Sequence, residues 1–300
     1  MKHENPEVSI IIVNFNNRAY LLQTLKSLFQ DPDVSHYEII VVDNASEDDS
    51  LGALRRKFPA VKAIALPENS GYAKANNRGA EKASSRYLLF LNNDTEVPAG
   101  SVGRLLDIKR NHPEFGIVAP RIDNPDGSLQ LSWGSDLHLH TEFFLKFLAQ
   151  KWSRWRLKTK KTEASKNVDW VSGACFVIDR SLYQEIDGFD EKFFLYVEDA
   201  DLCRRVRQLG HKVHLTSRVR IVHHLGQSVA KLRGRAMMEA KKSQLRYYGK
   251  HNGRRAMAVL RRYLLFRFGW KRWLSRDKDA QKIYGEVSDM IREFRFEDPA

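Results

Sequence analysis

The 300-residue chain has little cysteine: two residues, Cys175 and Cys203, each inside an apolar or helical pattern. That argues against a disulfide framework and fits a reducing compartment. No run approaches the roughly 18 apolar residues that a membrane-spanning helix needs. One lysine and no apolar stretch precede Val8, so no secretory signal is read there. The expectation is a cytoplasmic protein, soluble or peripheral on the inner face of the cell membrane. No internal repeat and no low-complexity segment is visible, which leaves a globular α/β core as the main prospect. Acids are scarce in one tract. From Lys231 to Arg276 there are fifteen Lys or Arg and a single acid, Glu239. The whole chain carries +13, so the rest is close to neutral and the basic character belongs to the C-terminal region. Its counterpart is anionic lipid or nucleic acid, unless the cations simply face water.

Short β-branched runs alternate with helical patterns. Val8 to Val13 reads as a strand, and Leu21, Leu22, Leu25, Leu28 and Phe29 as one buried helical stripe. Further strands are expected at 38–42, 61–66 and 87–91, with helices over 47–58 and 72–84. This alternation predicts a mostly parallel central sheet with helices on both faces. Regularity breaks after Val118, and the segment to 168 includes an aromatic, basic stretch from Phe143 to Lys161. Past it, a strand is expected at 170–178, a helix from about Asp199 capped by Gly210, and strands near 211–215 and 219–223. From about 228 the pattern is helical and basic. The division expected is 1–228 and 229–300.

In open α/β sheets, ligands bind beyond the carboxyl ends of the strands. Three such ends are polar here: Asn14 to Asn17, Asp43-Asn44, and Asn92-Asn93-Asp94. Asp and Asn also serve as plain turn and cap residues, so each alone is ambiguous. Beside a diphosphate, Asp94 can hold a hard divalent cation through oxygen. The stretch Asn69 to Asn77 puts Gly71 at a helix start, where backbone can approach a ligand or a phosphate; an ordinary loop is the alternative. In Glu198-Asp199-Ala200-Asp201, Asp199 or Asp201 can cap a helix. A carboxylate fixed there can also act as a general base, with the helix dipole expected to hold its pKa down. His223-His224 offers a neutral imidazole as a metal ligand, or a structural pair.

Taken in order, these segments resemble the inverting glycosyltransferase family 2, with its glycosyltransferase-A fold, over about residues 8–228. The match runs through Val8–Asn14, Ile40–Ser46, Asn69–Asn77, Phe90–Asp94, Gly188–Leu202 and His223–Ser228. The resemblance implies that Asp43 contacts the donor base and that Asp94 is the metal-binding end of an Asp-X-Asp motif. Asn92 stands at that motif's first position, as in rhamnosyltransferase-like members. It further implies that Asp199 is the catalytic base, preceded by Glu198, and that His223 is a second metal ligand, with His224 as the alternative. Asn14, Asn44, Gly71, Asn76, Asn92 and Asn93 join the expected nucleotide-sugar contacts. The cofactor implied is Mg²⁺ or Mn²⁺. The donor suggested is dTDP-rhamnose, with a UDP-hexose as the alternative. The acceptor suggested is a glycan or lipid-linked hydroxyl in bacterial cell-surface polysaccharide synthesis.

Rival classes have weaker footing. A sugar-nucleotidyltransferase needs a glycine-rich loop after the first strand, and Asn14-Phe15-Asn16-Asn17-Arg18 has no glycine. A nucleic-acid-binding protein accounts for the basic region but not for the strand-end acids, and no nucleic-acid partner is expected. A catalytically inactive relative would not need Asp94 and Asp199. Residues 243–274 interleave cations with large apolar groups, among them Leu245, Tyr247, Tyr248, Leu260, Leu264, Phe266, Phe268, Trp270 and Trp273. Such a helix can lie in a lipid interface. The alternative is that its aromatics pack onto the rest of the chain.

Overall fold

In the computed structural model of the chain, residues 6–140, 164–224 and 233–297 are described. The stretch Phe143–Lys161 and the end of the His223–Ser228 segment, from Leu225 on, lie outside them.

Four strands form the parallel part of the sheet: Val8–Asn14 (β1), Tyr37–Asp43 (β2), Lys62–Ala65 (β3) and Tyr87–Asn92 (β4). Their order is β3-β2-β1-β4, and β1 pairs in parallel with β2 and β4. Strand alternation sends Val8, Ile10 and Ile12 into one core and Ile11 into another. Arg18–Leu28 (α1), Ser50–Lys57 (α2) and Ser101–Asn111 (α4) supply Leu21, Leu25, Leu54 and Leu105 to the first core. Tyr72–Glu81 (α3), Arg180–Glu185 (α5) and Glu198–Gln208 (α6) supply Ala73, Ala75, Leu182, Leu202 and Val206 to the second. Helices therefore cover both faces, as the pattern required. The register places Asn14 opposite Asp43 and Val13 opposite Asn92, so the polar strand ends meet at one edge.

Beyond β4 the sheet is mixed. The expected strand at 170–178 is interrupted by Ser172-Gly173-Ala174, giving Trp170–Val171 (β9) and Cys175–Asp179 (β10). The second piece runs antiparallel between β4 and Phe115–Asp123 (β6). Regularity does not end at Val118, because β6 continues through Pro120; a proline inside a strand obscures it in sequence. The two short strands expected near 211–223 are one, Lys212–His223 (β11), with its register against β6 shifting between Thr216 and Arg220. Thr95–Glu96 (β5) and Lys166–Val168 (β8) pair with β11, and Trp133–Gly134 (β7) pairs with β9. Gly210, at φ +87°, follows α6 as expected.

The C-terminal region is Arg233–Leu274 (α7), kinked at Gly253, and Lys278–Glu293 (α8). It packs back on the body. Leu245, Tyr247, Tyr248, Leu260, Leu264 and Phe268 are buried in a third core with Phe193, Ala200, Val287 and Ile291. These aromatics therefore do not face lipid: closure of the third core takes them, and only part of the helix keeps an outward apolar face. Two carboxylates fix the docking. Asp201, fully buried on α6, receives Arg205 at 2.8 Å, Lys250 at 2.8 Å and His251 at 2.7 Å. Burial alone would raise its pKa; His251, Arg205 and Lys250 outweigh it and hold the carboxyl well below the usual range. Asp136 takes Arg207 at 2.9 Å, Arg204 at 3.5 Å and the Tyr247 hydroxyl. Among the described residues no helix is long and apolar enough to cross a membrane.

Candidate active site

A cavity of about 850 Å³ opens at the carboxyl edge of the parallel strands. Asn92, Asn93 and Asp94 reach it from the end of β4, Glu198 and Asp199 from the start of α6, and His223 from the end of β11. Asn44 and Gly71 line it as well.

The expected contacts divide into two groups. Asp94 and His223 come together: His223 Nε2 lies 3.0 Å from Asp94 Oδ1 and 3.2 Å from Asn92 Nδ2. Gln130, buried beside them, decides which nitrogen of His223 carries the proton. Its amide nitrogen donates to Asn124 Oδ1 at 2.9 Å and to the His223 carbonyl at 3.3 Å, so its oxygen faces His223 Nδ1 at 2.7 Å. In the neutral ring, Nδ1 then donates, and the Nε2 lone pair accepts from Asn92 Nδ2 and faces Asp94. Asp94 Oδ1 is buried without a hydrogen-bond donor. His224 points elsewhere: its Nε2 is 2.6 Å from Glu96, its ring centroid is 5.2 Å from that of Tyr20, and it does not line the cavity. The geometry thus separates the two histidines that the sequence left open.

Asn14, Asp43 and Asn76 have internal partners, and none lines the cavity. Asn14 donates to Asp43 at 3.2 Å and Ser46 at 3.1 Å, and accepts from Asn93 at 2.8 Å. Asp43 also accepts the Ser46 amide at 3.0 Å. Asn76 donates back to the Tyr72 carbonyl at 2.9 Å. Asn44 spans the loop that follows β3, accepting from the Ser70 amide at 2.9 Å and donating to Asn69 at 2.9 Å. These side chains fasten strand ends and loops to one another, so the rim of the cavity is rigid before any ligand arrives.

Gly71 allows close approach, and what approaches is backbone of the same chain. At φ +84°, a Cβ there would sit 2.5 Å from the Phe194 carbonyl oxygen, which accepts the Tyr72 amide at 2.7 Å. The Tyr72 hydroxyl donates to the Gly173 carbonyl at 2.8 Å. The loop before α3, the 172–174 break and the segment entering α6 are thereby joined.

Asp199 sits at the end of that chain of contacts. Its Oδ2 accepts the Gly173 amide at 3.0 Å and its Oδ1 the Ala200 amide at 2.8 Å. Tyr196 and Val197, at φ +68° and +69°, turn the chain into α6. Left-handed backbone at non-glycine residues costs about 1–3 kcal/mol each and collects at functional sites. A helix start is expected to depress the Asp199 pKa through the helix dipole. Burial instead raises it, against the two amides that favour the anion. Glu198 is pushed well above the usual range by burial and by the neighbouring Asp199 charge, and its Oε2 is buried with no partner.

Two further residues escaped the sequence reading. One is Gln130. The other is Arg235 on α7, the single Lys or Arg among the described residues lining the cavity. Its guanidinium lies 5.9 Å from the Phe194 ring centroid. Four acids share that lining: Asp94, Glu198, Asp199 and Glu239, the last held by Lys242 at 2.8 Å.

Comparison with known proteins follows the same lines. The model of the glycosyl transferase family 2 matches residues 9–187, more than half of the chain. The chain belongs to glycosyltransferase family 2. The match stops before Asp199 and His223, so their roles rest on the cavity geometry. Among curated family relatives, the N-acetylglucosaminyl-diphospho-decaprenol L-rhamnosyltransferase of Mycobacterium tuberculosis is 28% identical over 209 residues, 64% of this chain and 68% of that one. The O-antigen biosynthesis protein RfbC of Myxococcus xanthus is 31% identical over 229 residues, 73% of this chain and 17% of that protein. The mannosyltransferase PcManGT from Pyrobaculum calidifontis, solved with GDP-Man and Mn²⁺, superposes with a TM-score of 0.57 at 14% identity, over 96% of this chain and 84% of that one. The family 2 enzyme therefore has the glycosyltransferase-A fold, and the resemblance to the rhamnosyltransferase-like branch is borne out.

Proposed function

We propose that this glycosyltransferase moves a sugar, with inversion, from a nucleoside diphosphate donor to a hydroxyl of a glycan or lipid-linked acceptor. The observation that carries the reading is one cavity holding Asp199 together with Asp94 and His223. Asp199 has each carboxylate oxygen held by a single amide, which leaves lone pairs to accept an acceptor proton. Its raised pKa brings it nearer the operating range of a general base. In one displacement the acceptor O–H breaks to Asp199 and the oxygen bonds the anomeric carbon. The bond from that carbon to the diphosphate oxygen breaks, and the diphosphate departs with the electron pair. One displacement inverts the anomeric centre and needs no covalent enzyme intermediate.

A divalent cation fits the residues present. Asp94 Oδ1, buried without a donor, and the Nε2 lone pair of His223 face each other at 3.0 Å, an arrangement that repels unless a cation or proton lies between. Among the described residues no group of three or more His, Cys, Asp or Glu forms a fuller cage. Two protein ligands leave positions for diphosphate oxygens and water, the usual habit of Mg²⁺ and Mn²⁺ at phosphates. Bound there, the ion would supply Lewis-acid stabilisation of the leaving group. Asp94 and His223 would hold it, Gln130 would fix the His223 tautomer, and Arg235 would add charge from the opposite chain segment.

The relatives support a rhamnosyl donor and an acceptor of cell-surface polysaccharide synthesis, since the mycobacterial relative is named for L-rhamnosyl transfer to a lipid-linked diphosphate sugar. A lipid-linked acceptor would bring the enzyme to the inner face of a membrane. A thermal-shift panel of nucleotide sugars, with and without Mg²⁺ or Mn²⁺, tests this. dTDP-rhamnose with metal is expected to give the largest stabilisation, about 2.7 kcal/mol at a hundred times its dissociation constant. A clear preference for a UDP-hexose would refute the rhamnosyl donor and leave the family membership intact.

A further inference from the structure

The third core accounts for one face of α7 and leaves the opposite face open. Beyond the kink at Gly253, Met257, Leu260, Leu264 and Phe268 turn inward at helical spacing. The outward stripe is Val259, Phe266, Trp270 and Trp273, at 43%, 70%, 53% and 74% exposure, with Leu274 at 57%. The Phe266 and Trp270 rings stack at 6.2 Å, and Trp270 and Trp273 lie 5.3 Å apart, so the aromatics form one continuous patch. Large exposed aromatics gathered in one place mark an interaction site rather than chance exposure.

What surrounds the patch selects its partner. Arg255 and Arg262 lie on the same stripe at i−4 from Val259 and Phe266, and Arg272 and Arg276 stand beside its end; all four are exposed. No acid occurs between Glu239 and Asp277. Three other cations of α7 are used internally: Lys250 on Asp201, Arg261 on the carbonyls that end α8, and Lys271 over the Phe268 and Tyr284 rings. Among the described residues no ion pair is formed by Arg255, Arg262, Arg272 or Arg276. A protein partner with an acidic groove would match the charge, but indole and phenyl rings ringed by unpaired arginines suit the boundary between headgroups and acyl chains.

We infer that the outward face of α7 from Arg255 to Leu274, with Arg276, docks the enzyme on an anionic lipid bilayer. The aromatic stripe enters the acyl boundary while the arginines meet the headgroups. The helix lies in the plane of the surface and does not cross it, and the inward stripe stays in the third core. This docking stands on the helix face alone and is independent of the catalytic reading.

The test is sedimentation of the full chain with vesicles of phosphatidylcholine alone or mixed with phosphatidylglycerol. Nucleoside diphosphate binding and the melting temperature are measured on the same samples. Binding to the anionic vesicles is expected, weakened by salt, with a blue shift of tryptophan emission. The variant Trp270→Ser/Trp273→Ser should lose both signals. Arg262→Glu should weaken binding by at least roughly fivefold, the share of one cation near an anionic surface. Both variants should melt and bind nucleotide as the parent does, because these side chains touch neither the cavity nor the third core. No binding to anionic vesicles at low salt would overturn the inference. So would binding that the aromatic variant leaves unchanged, which would assign it to another segment such as Phe143–Lys161. A concentration-dependent dimer abolished by the aromatic variant, with no vesicle binding, would make the face a contact between two copies and also overturn it. Failure to bind nucleotide with vesicle binding intact would count against the catalytic reading only.

Discussion

Replacing Gln130 by leucine isolates the proton on His223 from everything else in the site. The side chain does not reach Asp94, yet its oxygen is 2.7 Å from His223 Nδ1. Leucine keeps the volume and removes the acceptor. His223 then loses the partner that holds its proton on Nδ1, and the tautomer with hydrogen on Nε2 becomes favourable because Asp94 Oδ1 waits 3.0 Å away. That tautomer closes the pair with a hydrogen bond and leaves no lone pair for a cation. Loss of such an outer partner costs roughly 10–100-fold in metal affinity, or about 1.4–2.7 kcal/mol. The assay is a Mn²⁺ titration in saturating nucleoside diphosphate, reading free Mn²⁺ by electron paramagnetic resonance. Gln130→Glu separates the tautomer from damage to the loop: it keeps an oxygen for Nδ1 but loses the donations to Asn124 and the His223 carbonyl. Gln130→Leu should weaken Mn²⁺ by that factor, and Gln130→Glu should keep it within a fewfold of the parent. Unchanged affinity in Gln130→Leu, with the fold intact, would refute the tautomer reasoning. Equal loss in both variants would assign the effect to the loop instead.

Asp199→Asn should lower turnover by roughly 10²-fold or more with nucleotide binding kept. In the parent, kcat/KM should fall as pH drops through a pKa above the ordinary aspartate value of about 3.9, and an acid limb unchanged in the mutant would exclude Asp199 as the base. The same shift has a stability sign: a carboxyl raised by folding contributes most at low pH, and that contribution is lost as pH rises through the folded value. Asp199→Asn should therefore be at least as stable as the parent at pH 7, with the difference vanishing in acid, as urea unfolding would show. Gly71→Ala should destabilise by about 1–3 kcal/mol, since the new Cβ meets the Phe194 carbonyl in glycine-only backbone; an unchanged urea midpoint would refute that reading. Arg235→Ala should weaken a nucleoside diphosphate about tenfold and a nucleoside without phosphate hardly at all, by calorimetry, and equal effects on the two would remove Arg235 from phosphate binding.

What could be read in advance followed from distance along the chain. Val8 to Asp43 gives two strands whose ends register side by side, and the period of their apolar residues was enough to find them. Asn92-Asn93-Asp94 and Glu198-Asp199 stood out because each group is contiguous and polar where an apolar run stops. Gln130 had no such signal: it is one amide in a loop, and its partner lies 93 residues away. Asn14 and Asn76 show the converse. An asparagine at a strand end or early in a helix has the same composition whether it greets a ligand or ties down its own backbone, and here the ties are made. The rise in the Asp199 pKa is hidden from sequence for a related reason. A helix start is visible in sequence, but the side chains that strip water from the carboxylate come from distant segments. The basic C-terminal tract was legible as a helix; that Lys250 and His251 turn inward depends on Asp201, and a lone aspartate in Glu-Asp-Ala-Asp does not announce three partners.

The Asp201 cluster also bears on modularity. A chain that ended at His223 would leave Asp201 with Arg205 alone, stripped of Lys250 and His251. The helix bearing Asp199 would be the first element to feel it. The C-terminal helices are thus not cargo that a chimera can exchange freely, as a tethered targeting tag would be. An exchange should succeed only when the recipient brings its own cation to that carboxylate or has an uncharged residue at the position. In a lineage where this region diversifies to suit new acceptors or surfaces, the Lys-His pair and the aspartate are expected to vary together, and their joint loss should mark the relatives whose C-terminal region has become detachable.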